Sequence, residues 1–348
     1  MILVTGATGL LGSHLLFELV NSGKDVRALR RRPGREEKVR KVFGYYSGQP
    51  DELISRIDWF DGDLMDFGAM ESALEGITEV YHAGAVVSFY PKDHKTMLKV
   101  NVEGTANLVN LSIAKGVGKF CYVSSVSTLG RAEHDGLSDE ETHWVPSRKN
   151  SVYSQSKYGA EREIWRGMEE GLNAVILMPS VIVGPGYWDG NSGLVRLVHQ
   201  GLKYATMGVN GYVDVRDVVK SMILLMENNC FGERFISSSE NLSYLELFTL
   251  MAKHLNKPAP TIIVPPYLSG IAWRAEALRS ALTGSKPEIT REMAITSSQV
   301  YTYSNQKIKD RLHVEFRSMD DSIRETCEKF LSDHSPDPVH DHGIKRHV

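Results

Sequence analysis

The chain begins Met1-Ile2-Leu3-Val4-Thr5-Gly6-Ala7-Thr8-Gly9-Leu10-Leu11-Gly12. Ile2 to Val4 reads as a short buried strand. Leu15, Leu16, Leu19 and Val20 recur at helical spacing within Leu10 to Ser22, and Gly23 marks that helix's end. Between strand and helix lie Gly6, Gly9 and Gly12, spaced Gly-x2-Gly-x2-Gly. Glycines here permit a tight turn and let a pyrophosphate approach the backbone. The helix N-terminus adds unpaired N–H donors and the positive end of its dipole. A glycine trio alone is weak evidence; one that follows a strand and opens a helix reads as a dinucleotide-binding start.

Working outward, Val26 to Leu29, Ile57 to Phe60, Glu79 to His82, Lys119 to Ser124 and Ala174 to Met178 read as further strands. Helical stretches lie between them, notably Thr96 to Lys115 and Ser154 to Glu170. This alternation predicts an α/β fold, a Rossmann-type doubly wound parallel sheet covered on both faces. After Gly184-Pro185-Gly186 the pattern loosens into helices, such as Leu194 to Gly201 and Val215 to Glu227, with short strands. A smaller mixed α/β substrate domain is expected there. The expected division is a dinucleotide domain over 1–183, re-entered around 206–230, a substrate domain over 184–332, and a mobile tail over 333–348. Four tail histidines could hold a metal, but a solvated tail is the reading and no metal site is assigned. An apolar helix near Leu268 to Leu282 is interrupted by Arg274, Glu276 and Arg279, and reads as a substrate lid or core helix.

Composition excludes several classes. Among 348 residues, 40 basic side chains nearly balance 43 acidic ones, so no overall field favours nucleic acid or an anionic membrane. Cys121, Cys230 and Cys327 are far apart and form no Cys-x2-Cys pair, against a disulfide framework or zinc knuckle. The start is core-like, with no signal segment before it, and no run of about 18 apolar residues follows. A cytoplasmic enzyme acting on a small molecule, without an integral membrane segment, is the expectation.

Two further stretches carry chemistry. Where many dinucleotide folds place an acid on the ribose 2′-hydroxyl, this chain has Arg30, Arg31 and Arg32. A guanidinium pairs with a 2′-phosphate, so NADP(H) is preferred, with NAD(H) possible and Arg30 as the phosphate ligand. Asp63 and Leu64 follow the third strand, where a carboxylate could accept the adenine amino group. Tyr153-Ser154-Gln155-Ser156-Lys157 places tyrosine and lysine on one helix face. An ammonium near a phenol favours the phenolate and makes tyrosine a usable acid or base. Ser124-Ser125 ends the preceding strand, where a hydroxyl could hold a substrate oxygen.

TGATGLLG, GDL, YHAGA, NVEGT, YVSSVSTLG, YSQSK, PSVIVGPG and YVDVRDV, in this order, resemble the extended short-chain dehydrogenase/reductases, the NAD-dependent epimerase/dehydratase superfamily, over about residues 1–331. The resemblance implies catalytic roles for Ser125, Tyr153 and Lys157, with Ser127 a weaker rival to Ser125. It implies cofactor contacts from Gly6, Thr8, Gly9, Leu10, Leu11, Gly12, Asp63, Leu64, Ala83, Gly84, Ala85, Tyr153, Lys157, Pro179, Ser180 and Val181. Asn101 would face the active site. A homodimer through the helices Thr96 to Lys115 and Tyr153 to Glu170 is expected by the same analogy.

Within that superfamily the chain is most similar to dihydroflavonol-reductase-like members, through Arg30 and the stretch Thr206 to Val215. That implies carbonyl reduction or alcohol oxidation, with Tyr153 handling the proton. The alternative is a nucleotide-sugar epimerase or dehydratase with tightly bound NAD. Those enzymes carry a basic residue where Val209, Asn210 and Gly211 stand uncharged, and a dehydratase acid where Val126 stands. Val87, Ser88, Phe89 and Tyr187, with Val86, Tyr90 and Trp188, are expected to give the substrate pocket an aromatic, weakly charged rim.

Overall fold

A computed structural model describes residues 1–130, 136–147, 150–188, 193–285, 287 and 290–335. Among these residues the large sheet has seven strands, all parallel. They are β1 (Ile2–Thr5), β2 (Val26–Arg30), β3 (Asp58–Asp61), β4 (Glu79–His82), β5 (Lys119–Val123), β6 (Ala174–Pro179) and, after three short strands elsewhere, β10 (Arg234–Ser237). Their spatial order is β10-β6-β5-β4-β1-β2-β3. β1 and β6 are buried at every residue, as strands with helices on both faces must be.

Two apolar clusters cover the faces. On one, Leu15, Leu16 and Leu19 of helix Leu10–Asn21 pack with Val218, Met222 and Leu225 of helix Val215–Glu227. On the other, Leu108 and Val109 of helix Gly104–Ala114 meet Ala160 and Ile164 of helix Val152–Glu169 over Phe120 and Ile176. β1 lies between β2 and β4, so the chain's winding reverses there. A crevice at the C-terminal ends of strands is expected at such a reversal. The glycine turn after β1 and the segment Ala83–Ala85 after β4 both open onto it.

Those two segments touch, and the contact explains the glycines. Gly6 has φ of +68°, and a Cβ on it would stand 2.6 Å from the Ala83 carbonyl carbon. A Cβ on Gly12 would stand 2.1 Å from the Gly6 carbonyl oxygen. The helix therefore approaches its own strand more closely than any side chain allows.

The helix expected over Thr96 to Lys115 is divided. His94–Leu98 and Gly104–Ala114 flank a π-helical turn, Lys99–Glu103. The wider turn holds Asn101, which is buried with its side chain bonded to both backbone polar groups of Val86.

The second half builds a three-stranded sheet, β11-β9-β7, from β7 (Val181–Val183), β9 (Val209–Asp214) and β11 (Glu240–Ser243), and a parallel pair from β8 (Tyr204–Ala205) and β12 (Ile262–Ile263). Tyr212, Leu247, Phe248, Met319, Ile323 and Phe330 form its core. Three expectations need correction. The chain's return to the large sheet runs past 230, because β10 completes that sheet. Helix Met319–His334 contains Asp333, placed in the tail by the sequence; its carboxylate accepts from Tyr45 Oη (2.5 Å) and Trp188 Nε1 (2.8 Å) and pairs with Lys41. The expected tail beyond Ser335 lies outside the described residues. Helix Pro266–Thr283 is not a core helix, since Tyr267, Ile271 and Leu278 are 70%, 61% and 63% exposed. No described helix is long and apolar enough to cross a membrane.

Gly6→Ala adds a β-carbon where both the backbone conformation and the Ala83 carbonyl forbid it. We expect unfolding free energy in urea to fall by about 2–4 kcal/mol. Gly76→Ala, also at positive φ but with open space around it, should cost only the backbone part of that.

Candidate active site

Helix Val152–Glu169 opens with Ser151, whose side chain accepts from Ser154 N at 3.0 Å. One turn in, Tyr153 and Lys157 point toward the end of β5. Lys157 is buried, donates from Nζ to the Val123 carbonyl at 2.6 Å, and lies 4.5 Å from the Tyr122 ring centroid. Burial lowers its ammonium to about 7, with Glu161 acting in the opposite direction. Tyr153 is hydrogen-bonded to Ser125. Burial raises the phenol above its ordinary value, and the Ser125 bond offsets this only in part. The phenol thus departs from the lowering expected of a lysine neighbour: desolvation is the larger effect here. Ser125 caps the 3-10 turn Val126–Thr128, accepting from Ser127 N at 3.2 Å. Ser125, Tyr153 and Lys157 lie together at the end of β5; Ser127 Oγ is buried without a partner.

A second layer was not anticipated. His82, at the end of β4, is fully buried between two threonines, Nδ1 lying 2.6 Å from Thr5 Oγ1 and Nε2 lying 3.0 Å from Thr105 Oγ1. Thr105 Oγ1 gives its one proton to the Asn101 carbonyl at 2.6 Å, so it accepts from His82 Nε2. Thr5 Oγ1 accepts from Gly84 N at 3.1 Å and therefore donates to His82 Nδ1. Asn101 Nδ2 also donates to Ser156 Oγ (2.9 Å), which donates to the Tyr153 carbonyl (2.7 Å). Two directed runs thus meet at Asn101, one ending at its carbonyl from the segment after β4 and the end of β1, the other starting at its side chain and ending at the helix of Tyr153. Histidine between two hydroxyl residues from different elements is the sequence-level trace, but only the fold brings them together.

Glu161 was also missed. It lies four residues beyond Lys157 and is 1% exposed. Its carboxylate accepts from Ser124 Oγ (2.7 Å), Thr128 Oγ1 (2.9 Å), Arg234 (3.1 Å) and Trp165 Nε1 (3.4 Å). The helical spacing from Lys157 was a signal that could have found it.

The phosphate side fits a dinucleotide. Gly9 is an N-cap without a side-chain cap, which leaves first-turn N–H groups facing the crevice, and the Gly6 and Gly12 contacts leave room only for backbone. Gly6, Thr8, Gly9, Leu10, Leu11 and Gly12 lie along this turn. Ala83, Gly84 and Ala85 lie against it. Leu64 is buried, and Asp63 Oδ1 accepts from Met65 N at 2.9 Å. Pro179, Ser180 and Val181 join β6 to β7, with Ser180 N bonded to the Ser237 carbonyl at 3.0 Å. Arg30 ends β2 as expected, but it is already engaged. Its Nε donates to Asp61 at 2.5 Å, it pairs with Glu36, and its guanidinium lies 5.4 Å from the Trp59 ring centroid.

The expected substrate rim divides. Val87 is 60% exposed after β4, with Phe89 half-buried nearby. Ser88 is held in its turn, donating to Asp93 at 2.6 Å and accepting from Tyr90 N. Tyr187 lies over the glycine turn instead, donating to the Thr8 carbonyl at 2.6 Å, and Trp188 is buried against Phe330 and Asp333. Helix Arg291–Thr296 reaches the site from the smaller domain, where Glu292 accepts from Val152 N at 3.1 Å, one residue before Tyr153.

Residues 2–235 match the model of the NAD dependent epimerase/dehydratase family. The chain is 31% identical to sterol demethylase protein B of Methylococcus capsulatus, over 78% of this chain and 79% of that protein. It is 27% identical to dihydroflavonol 4-reductase of Arabidopsis thaliana, over 77% and 72%. The crystal structure of gox2253 superposes with a TM-score of 0.78 at 28% identity, covering 96% of this chain and 98% of that one.

Burial holds two histidines neutral in the fold, His82 at about 3 and His14 at about 4, against 6.5 in the unfolded chain. Below 6.5 the unfolded state binds protons that the native state refuses, so stability falls as pH drops from about 6.5 toward 4. Urea unfolding between pH 6.5 and 5 should show this slope, and His82→Gln should reduce it by up to one proton.

Proposed function

The chain belongs to the NAD-dependent epimerase/dehydratase family, and on that premise we propose that it is an NADP-dependent reductase of a carbonyl on a small hydrophobic or neutral substrate. The observation that carries this reading is the convergence of Ser125, Tyr153 and Lys157 beside a glycine cradle. Arg216, just past the end of β9, is bound at both ends of its guanidinium, to Asp214 (2.6–2.8 Å) and to Glu325.

When bound, a reduced nicotinamide would supply hydride to the carbonyl carbon. Ser125 and Tyr153 hold the carbonyl oxygen between two hydroxyls, so charge developing there meets fixed donors. Tyr153 delivers its proton to that oxygen. Lys157, fixed by the Val123 carbonyl, stabilises the phenolate left behind. In the oxidative direction the same phenolate takes the proton from the alcohol.

Exposed apolar side chains support an apolar substrate class. Val87, Met207 and Met293 are 60%, 53% and 43% exposed. Val87 adjoins the Val86 backbone clasped by Asn101, and Met293 adjoins Glu292. Met207 precedes Gly208, which packs on the Ser297 carbonyl. Exposed apolar side chains on these three segments suit an apolar ligand. The two relatives are named for a sterol and a dihydroflavonol.

For the cofactor, Arg30 would exchange Glu36 or Asp61 for the 2′-phosphate, with exposed Arg31 and Arg32 adding charge.

Titrating NADPH and NADH against tryptophan fluorescence should show NADPH bound more tightly, and Arg30→Ala should weaken NADPH about 10–100-fold with little effect on NADH. Across a panel of apolar ketones, Tyr153→Phe should lower kcat about 10²–10⁴-fold while leaving NADPH affinity unchanged. Co-purifying NAD that does not exchange, with no NADPH preference, would overturn this in favour of a nucleotide-sugar epimerase.

A further inference from the structure

Glu161 is a buried carboxylate that the proposed reaction does not use, yet it binds the turn that presents Ser125 and the edge strand beyond it. On the Oε2 side it receives Ser124 Oγ at 2.7 Å and Thr128 Oγ1 at 2.9 Å. Thr128 Oγ1 also lies 2.9 Å from the Ser125 carbonyl, and Thr128 N donates to that carbonyl at 3.0 Å. The turn that presents Ser125 is therefore fastened to the helix that presents Tyr153 and Lys157, through a single side chain. On the Oε1 side stands Arg234 of the edge strand β10, whose other donors clamp the Glu140 carbonyl at 2.9 and 2.6 Å.

We propose that Glu161 is a positioning residue for the reaction proposed above: it fixes the Ser125 turn against the catalytic helix and supplies the buried negative charge that balances Lys157 and Arg234. A buried ammonium and a partly buried guanidinium facing one low-dielectric core would repel each other without it. Other ionisable groups face this core from every packed element. His82 of β4 is held neutral by burial, and Tyr122 of β5 and Tyr153 of the helix are raised by burial. Arg234 comes from β10, Glu140 from the segment before residue 142, and Lys307 from helix Gln306–Leu312, donating to the Arg234 carbonyl at 3.1 Å. Glu161 is the one carboxylate among them on the helix of Lys157, a single turn away. Its charge favours the protonated form of Lys157.

The sign of the test follows. Glu161→Gln keeps the shape and most of the hydrogen bonding but removes the charge, so Lys157 should lose its proton at lower pH. A ¹³Cε-lysine NMR titration of the cofactor-free protein, with the Lys157 signal identified by its loss in Lys157→Met, should show its midpoint lowered by about one unit. The basic limb of the kcat/KM profile should move in the same direction. Glu161→Asp retains the charge and should return both midpoints toward wild type. Thr128→Val, which cuts the link to the Ser125 turn and leaves the charge in place, should lower kcat about tenfold. Its Lys157 midpoint and NADPH KM should not change. A Lys157 midpoint unmoved in Glu161→Gln, or a wild-type kcat in Thr128→Val, would overturn the proposal. The NMR titration needs no substrate, so an inactive wild type with the expected midpoint shift would count against the reductase reading alone.

Discussion

The hydrogen-bond chain through His82 is the constraint on which the site's geometry depends. Its members come from four places: Thr5 at the end of β1, His82 at the end of β4, Thr105 in the helix after the π turn, and Gly84 beside the glycine turn. Every proton in it has one destination. Gly84 N–H points to Thr5, Thr5 to His82, His82 to Thr105, and Thr105 to the Asn101 carbonyl. A buried polar chain is stable only when every member is satisfied, and a satisfied chain admits one arrangement. It therefore fixes the separation between the cofactor turn and the π turn, and through Asn101 and Ser156 the pitch of Tyr153's helix. Glycines at 6 and 12 allow the approach; the chain sets its distance.

Burial then decides protonation. His82 is kept uncharged, which the chain requires, because imidazolium would have no acceptor role left for Nδ1. Lys157, in the same low-dielectric core, is brought down to about 7, near the pH at which a proton relay partner must work. Tyr153 moves the other way and stays protonated, the form that a reductase needs before each turnover. One physical cause, desolvation, pushes the acid up and the base down. The two pKa values are thus driven apart, the neutral pair is favoured over phenolate and ammonium, and a neighbouring charge such as Glu161 counters this at Lys157.

How much was legible in the sequence follows from the range of each signal. The strands and the Tyr153–Lys157 pair were readable because they depend on spacing within one element. The glycine turn was readable because its neighbours along the chain, a strand and a helix, confirm it. Partners supplied by other strands were not. Arg30 has no local sign that Asp61, opposite it on β3, would reach its guanidinium. Tyr187 and Trp188 look like rim aromatics, but composition cannot say which side of the crevice a residue faces, and they serve the glycine turn and the helix of Asp333. Helix Pro266–Thr283 shows the converse. Its apolar residues suggested burial, yet their spacing places several on a face that the fold leaves uncovered.

Arg30 also shows why cofactor choice in such a site is an exchange of partners. A free guanidinium would gain the whole of a charge-assisted bidentate contact with a 2′-phosphate. Arg30 already has two carboxylates and an aromatic face, so a phosphate gains only the difference. That difference is also reduced by repulsion from whichever carboxylate stays nearby. The same carboxylates hold the arginine at the end of β2 and so remove the entropy cost of ordering it on binding. The outcome then turns on Arg31 and Arg32, which are exposed and can compensate a displaced acid without leaving the turn. The proposed NADP preference is therefore a matter of the three arginines and the two acids together, and one that salt would weaken as the exposed part of that balance is screened.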